Sequence, residues 1–568
     1  MAISRRSVIV SALAGTATAG LGGLPGTLTQ AAAAPTAPAA SPPGDVVGKV
    51  TVGYQGWFAC IGDGAPINSW WHYSRNAGQP PSPSNTTLVS WPDMREYTRS
   101  YPTAYPNLGN GQRATLFSSW DQQTVDTHFR WMRENGCDTA ALQRFNPFGA
   151  EGPTRDGMAQ KVRQSAEAYG RKFYIMYDVT DWTNMQSEIK QDWTTKMRAY
   201  TASSAYAVQN GKPVVCIWGF GFNDPGRPFA PAPCKDVVDW FKAQGCYVIG
   251  GVPTHWRNGI NDSRPGFLDV YHSFDMISPW MVGRITNVSQ ADQFYRDLNT
   301  PDQADCDARG IDYQPCVIPG DLQSGHRAHG ELMWRQFYNL CRVGVQGFYI
   351  SMFDEFNEGN QIAKTTETSA EVPAGSGIRA LNEDGTACSA DYYLRLTADG
   401  GRMLKGQLAL TAVRPTVPFP GGGGPTQPTG DLALNRPATA SSVTQNYGAG
   451  NAVDGNGSSY WESANNAFPQ WIQVDLGAAS AVKRVVLSLP PNPAWGSRTQ
   501  TVAVLGSTNG SDFSTLSAAA GRTFDPASGN TTTVTLATAA NARYVRLQFT
   551  GNTGWPAGQL SGFSVYAS

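Results

Sequence analysis

The chain has 568 residues, with 43 Lys and Arg against 44 Asp and Glu and a net charge of −1. Such a balance offers no basic field to a nucleic-acid backbone or an anionic membrane surface, and the length exceeds one ordinary core, so two or three folded units are expected. Charged residues are only 15% and aromatics 11%, with 17 Trp, which suits a globular protein that stacks flat apolar ligand faces such as those of pyranose sugars.

Residues 1–40 read as an export signal and spacer. Ser4-Arg5-Arg6-Ser7-Val8-Ile9 precedes a small-residue apolar stretch and an alanine-rich region, Ala31 to Ala34, suited to cleavage. The paired arginines resemble a twin-arginine signal, which implies export of a folded chain; an ordinary secretory signal is the alternative. With no later run of about 20 apolar residues, the expectation is a secreted, extracellular monomer without a membrane span. The nine cysteines show no CxxC spacing, which argues against a zinc cluster, and their odd number leaves at least one thiol unpaired. Cys306 and Cys316 are a candidate pair for an oxidising compartment.

From 48 to 412 strand-length apolar runs alternate with helical spacing. The runs are 50–58, 139–145, 172–179, 213–220, 247–252, 275–282, 313–318 and 346–353. Helical patterns fall at 122–135, 155–169, 192–208, 235–244, 289–298 and 330–343, with Gly136, Gly170, Gly245 and Gly344 placed as C-terminal stops. Each parallel crossover needs a covering helix, so eight repeats predict an α/β fold, a (β/α)8 TIM-type barrel. An open doubly wound sheet is the alternative, weakened by the lack of a GxGxxG turn after the first run.

A barrel carries its chemistry on the loops after the C-terminal strand ends. Those ends hold Tyr54, Trp57, Tyr177, Asp178, His255, Trp256, Trp280 and Asn357, candidate substrate-binding residues by hydrogen bonding and stacking. Trp70-Trp71-His72-Tyr73 lies in a polar, proline-rich loop and reads as a surface feature that walls the cleft. The last strand end holds Glu355-Phe356-Asn357-Glu358-Gly359-Asn360-Gln361-Ile362. Glycoside hydrolysis needs an acid for the leaving oxygen and a second carboxylate for the other face of the reaction. Glu355 and Glu358 can be that catalytic pair only if the chain turns near Phe356, because an extended strand sends residues three apart to opposite faces. Gly359 is placed to relax such a turn.

The EFNEGNQI segment resembles the EWxEGTxI motif of glycoside hydrolase families 99 and 71, and GYQGWF and QRF also look like that group. The resemblance implies catalysis without a cofactor: Glu355 as base toward a sugar 2-hydroxyl, Glu358 as acid/base toward the glycosidic oxygen, and a 1,2-anhydro sugar with net retention. The substrate class implied is an α-linked polysaccharide or glycan, of mannan or glucan type. Phe356, Asn360 and Ala363 depart from the motif's Trp, Thr and common Glu. A non-catalytic polysaccharide-binding protein with a degenerate barrel is the other reading.

Residues 413–430 are a Pro/Gly linker, VRPTVPFPGGGGPTQPTG. Beyond it, 431–568 holds short alternating runs, 471–476, 482–489, 501–506, 532–536 and 544–549, the pattern of an all-β sandwich. Asn451-Ala452-Val453-Asp454-Gly455-Asn456, then Trp461 and Trp471-Ile472-Gln473-Val474-Asp475-Leu476-Gly477, resemble the discoidin, or coagulation factor 5/8 type C, jelly roll that includes carbohydrate-binding module family 32. That resemblance implies sugar contact through Trp495, Arg498 and Trp555, Trp471 in the core, and a structural calcium at Asp454 and Ser459.

Overall fold

A computed structural model describes residues 41–419, 431–434, 436–457 and 459–567. The export segment therefore lies outside the described residues, as does most of the Pro/Gly linker. Eight parallel strand positions form one sheet: β1 Lys49–Tyr54, β2 Thr139–Arg144, β3 Lys172–Asp178, β4 Lys212–Trp218, β5 Tyr247–Val252, β6 Met276–Pro279, β7 in two pieces, Asp312–Tyr313 and Cys316–Val317, and β8 Gly347–Ile350. The two pieces of β7 close the sheet. Asp312 and Tyr313 pair with Met276 and Ile277 of β6, and Cys316 and Val317 pair with Tyr349 and Ile350 of β8. β8 in turn pairs with β1, so the sheet is a closed barrel and the open-sheet alternative falls.

Covering helices follow the strands: α1 Gln122–Glu134, α2 Gly152–Tyr169, α3 Met185–Thr195, α4 Pro231–Ala243, α5 Leu268–Tyr271, α6 Val288–Phe294, α7 Thr300–Arg309, α8 Glu331–Val343 and α9 Tyr392–Leu404. Gly136, Gly170, Gly245 and Gly344 take positive φ just past four of them. The pattern at 192–208 is not one helix. α3 starts earlier and ends at Thr195, and Val208–Gln209 pairs back onto Lys212 and Pro213 across an Asn210-Gly211 turn, a hairpin signal that outweighs the helical spacing. The pattern at 289–298 is also split, into α6 and a π-type turn, Tyr295–Asn299, that leads into α7.

All nine cysteines are free thiols, so Cys306 and Cys316 do not pair. Cys306 is on α7 and Cys316 on β7. Each is buried separately, and burial pushes the Cys316 thiol up to about 12, which suppresses the thiolate that forms disulfides. Among the described residues no helix is long and apolar enough to cross a membrane.

The C-terminal part is an antiparallel sandwich. Two long strands, Gln470–Ser488 and Thr531–Asn552, each span two of the expected short runs, with register shifts at Asp475/Ser480 and Val482/Arg484. Arg498–Ser507 and Ser514–Phe524 extend the sheet. Trp471 is not core. It lies half-buried on the outer row under the Arg546 guanidinium, 4.3 Å from its ring, while Trp461 is fully buried against Phe549.

Candidate active site

Past β8 the chain returns over the barrel mouth. Glu355 O accepts from Glu358 N at 3.3 Å and from Gly359 N at 3.2 Å, which closes one helical-type turn. Residues three apart in such a turn share a side, so Glu355 and Glu358 come together. Gly359 leaves the turn at φ 71°, and a Cβ there would lie 2.6 Å from Val89 Cγ1, so backbone and space both require glycine. Phe356 is buried against Phe58 and Phe117, with ring centroids 6.2 and 5.8 Å away. Its carbonyl accepts from the amides of Val89 and Ser90. The buried Arg327 guanidinium donates to Gly320 O, Gly359 O and Gln361 O at 3.0, 2.8 and 2.7 Å and so fixes the far side of the turn.

Asp354 and Gln55 join the two ends of the chain's barrel. Asp354 accepts from Gln55 N and Gly56 N at 2.8 and 2.9 Å, and burial raises its carboxyl to about 6. Arg155, from α2, donates to Gln55 O at 2.7 Å. Gln55 Nε2 then donates to Glu355 Oε1 at 2.9 Å, and Gln55 Oε1 keeps no partner. Burial first, and then the Glu358 charge, hold Glu355 well above the usual carboxylate range. Glu358 stands at the open rim and is also raised, by the protein around it and by Asp321. Two like charges so placed titrate as a pair, each disfavouring the ionised form of the other.

Other candidates divide by strand face. Asp178 belongs to the inner row with Tyr174 and Met176, and it accepts from Thr180 N at 2.9 Å and from the Thr180 hydroxyl. Trp280 is half-buried, edge-on to Trp218 at 5.1 Å and 6.5 Å from Tyr349. Trp57 stacks on His72 at 3.7 Å and on Phe145 at 5.7 Å, and its Nε1 has no partner. Asn357 Oδ1, between the two glutamates, is buried and unpartnered as well. His255 is half-buried with Nδ1 2.8 Å from Asp262 Oδ1.

Tyr54, Tyr177 and Trp256 are corrected. Tyr54 is fully buried on the helix-facing row, its hydroxyl 2.9 Å from His128 Nδ1 of α1. Tyr177 likewise points outward and donates to Asp192 Oδ2 of α3 at 2.8 Å. Trp256 is buried, with Nε1 donating to Asp302 of α7. Strand alternation explains the first two: each stands one residue from an inward partner, Gln55 or Asp178. The loop at 70–73 is corrected too, since Trp70 and Tyr73 are buried and His72 is taken by Trp57. Gln55, Trp218 and Asp354 stand at strand ends in the sequence without being singled out as site residues, and Arg327 was missed; alternation from Tyr54 could have pointed to Gln55.

At one end of the sandwich Trp495, Arg498 and Trp555 do come together. Arg498 lies 4.9 Å from the Trp495 ring and donates to Gln559 Oε1, Gln559 donates to Glu462, and Trp555 Nε1 donates to Glu462 Oε1 at 3.2 Å. Tyr460 packs edge-on to Trp495 and stacks on Tyr447. Trp555 is 46% exposed, which leaves it free for a ligand face. Elsewhere, Ser459 Oγ donates to Asp454 Oδ2 at 2.6 Å beside the carbonyls of Asn451 and Asn456. These oxygens match calcium in donor type, but with a single carboxylate they fall short in charge, and among the described residues no group of three His, Cys, Asp or Glu could hold a metal.

Fold and site together define a closed (β/α)8 barrel with two glutamates on one turn at its mouth, joined to a β-sandwich. That sandwich is an F5/8 type C domain, matched over residues 437–562. No curated protein matches the chain. Among solved structures, the chain is similar to the GH99 endo-alpha-mannosidase from Bacteroides thetaiotaomicron, with 13% identity, 64% of this chain and 98% of that chain covered, and a TM-score of 0.45. It is also similar to chitosan-binding module 1 of a chitosanase/glucanase from Paenibacillus sp. IK-5, with 33% identity over 24% of this chain and 98% of that chain and a TM-score of 0.20. The family 32 CBM of C. perfringens NanJ, in complex with galactose, is similar at 20% identity over 23% of this chain and 93% of that chain, with a TM-score of 0.20.

Proposed function

We propose that the chain is an exported glycoside hydrolase acting on an α-linked polysaccharide of mannan or glucan type, with its F5/8 type C domain holding the polymer. The observation that carries this reading is the turn that brings Glu355 and Glu358 to one side over the barrel mouth, with Gln55 fixing Glu355. Unpartnered Gln55 Oε1, Asn357 Oδ1 and Trp57 Nε1 supply the hydrogen-bonding capacity that a polyhydroxyl ligand would satisfy.

In the proposed reaction, ionised Glu355 takes the proton of the sugar 2-hydroxyl as that oxygen attacks C1. The C1–O2 bond forms, the bond from C1 to the leaving oxygen breaks, and Glu358 protonates the leaving oxygen. Water then opens the 1,2-anhydro ring at C1: Glu358 takes a water proton and Glu355 returns its proton to O2, giving net retention. A positioned base and acid of this kind each contribute roughly 10²–10⁴-fold.

The test is reducing-end release from α-mannans, α-glucans and arabinans, with NMR of the products for linkage and anomer. Glu355→Gln and Glu358→Gln should each abolish release while the protein stays folded and binds polymer. Near-normal turnover in both variants would sink the assignment. Polymer binding without release from any substrate by the wild type would point to a non-catalytic binding protein instead.

A further inference from the structure

The loop after β7 grips the turn that bears Glu358. Leu322 N donates to Gly359 O at 3.1 Å, and Arg327, seven residues past Gly320, ties Gly320 O to Gly359 O and Gln361 O. Between these ties stands Asp321. Its Oδ1 is 3.2 Å from the point a Gly359 Cβ would occupy, and Gln323 N and Ser324 Oγ hold the two carboxylate oxygens at 2.7 and 2.6 Å. The carboxylate is thus fixed in place. Among the described residues Asp321 forms no salt bridge: Arg327 Nε and Nη2 donate to main-chain carbonyls and its Nη1 has no partner, so the guanidinium acts on Asp321 only through space.

We propose that Asp321 is a positioning residue for Glu358: its fixed negative charge, clamped against the Glu355–Gly359 turn, keeps the proton on Glu358 that the leaving oxygen will receive. The inference rests on the acid role given to Glu358 above. A like charge a few ångströms away favours the neutral form of a carboxyl, more so where protein displaces water. Other charged groups bear on the same place. Glu355 and Asp354 come from the turn's own segment, Arg327 from the β7 loop, and Arg379, Glu383 and Asp384 from the segment behind it. Glu383 is raised to about 7 by burial against the pull of the Arg327 charge, and Asp321 is the member held against the Glu358 turn.

Asp321→Asn keeps the shape and the acceptor for Gln323 N while removing the charge. Two readouts separate this inference from the function on which it rests. Carbon-13 carboxyl titration of glutamate-labelled full-length protein, assigned with Glu358→Gln, reads Glu358 without turnover, and its midpoint should fall by about half a pH unit or more in Asp321→Asn. On a cleaved glycan, the basic limb of kcat/KM should move to lower pH by the same amount, and Asp321→Glu should restore much of the wild-type profile. An unmoved Glu358 titration overturns the inference, as does a loss of activity equal at every pH. A shifted titration in a protein whose Glu358→Gln variant is still active would instead refute the acid role of Glu358 and leave the electrostatic link standing.

Discussion

Gln55 Nε2 donates to Glu355 Oε1 at 2.9 Å, a bond across 300 residues that ties the end of the first barrel strand to the turn beyond the eighth. It favours the ionised form of a carboxyl that burial pushes the other way. Gln55→Ala should therefore raise Glu355 further. Since the base must be ionised, the acid limb of kcat/KM should already lie above the ordinary carboxylate range in wild type and move higher in the variant, with kcat/KM lowered about 10-fold or more. A pH–rate profile of both proteins on a cleaved glycan checks this.

Arg144, Asp192 and Tyr177 form a closed buried set outside the barrel. Arg144 Nε and Nη2 donate to Asp192 at 2.7 and 2.5 Å, and Arg144 Nη2 also reaches Asp156 at 2.7 Å. Asp192→Ala leaves a buried guanidinium short of its main partner and should cost about 3–5 kcal/mol of unfolding free energy. Tyr177→Phe should cost about 1 kcal/mol and spare turnover, because the hydroxyl serves the fold. Urea unfolding and activity of the two variants test both statements.

His128 stands between two phenols, with Nδ1 2.9 Å from Tyr54 Oη and Nε2 2.7 Å from Tyr97 Oη. Burial lowers its pKa from 6.5 to about 3. Between those values the unfolded chain binds a proton that the folded chain refuses, so stability is fully present above about 6.5 and is lost as pH falls toward 3. The loss should reach on the order of 4 kcal/mol over that window. Unfolding free energies measured from pH 7.5 to 4.5 should follow this slope, and His128→Phe should flatten it.

Trp555 is the exposed aromatic of the sandwich end, oriented by Glu462. Trp555→Ala should weaken retention on insoluble polymer about 10-fold, a stacking loss of roughly 1.4 kcal/mol. Activity on the polymer should fall several-fold more than activity on a short soluble oligosaccharide, because tethering acts through effective concentration. Pull-down and paired rate measurements distinguish the two.

Local pattern was enough to read the strands and their order, because a parallel barrel repeats short apolar runs with helices between them. It failed where two local signals competed, as at 192–208, where the Asn210-Gly211 turn won over helical spacing. It failed again at Tyr54 and Tyr177, since a strand end presents adjacent residues to opposite faces and nothing in the residue type says which face is the pocket. Gln55 and Asp354, though at strand ends, were given no role for a further reason. Their roles lie in contacts with each other's ends of the barrel, and no window of sequence contains both.

By itself the sequence determined the two architectures and the strand-end position of Glu355 and Glu358, which follow from short-range periodicity and turn residues, while the aromatic set of the sandwich loops was implied by the resemblance to the discoidin group. Only the tertiary structure decided whether the barrel closes, which rests on β7 pairing with β6 at one end and β8 at the other. It alone decided that the two glutamates share a side, because that turn is held by Val89, Ser90, Leu322 and Arg327, residues remote in the chain. Hydrogen bonds of this kind depend on positions within a few tenths of an ångström, and those are set only once distant segments pack together.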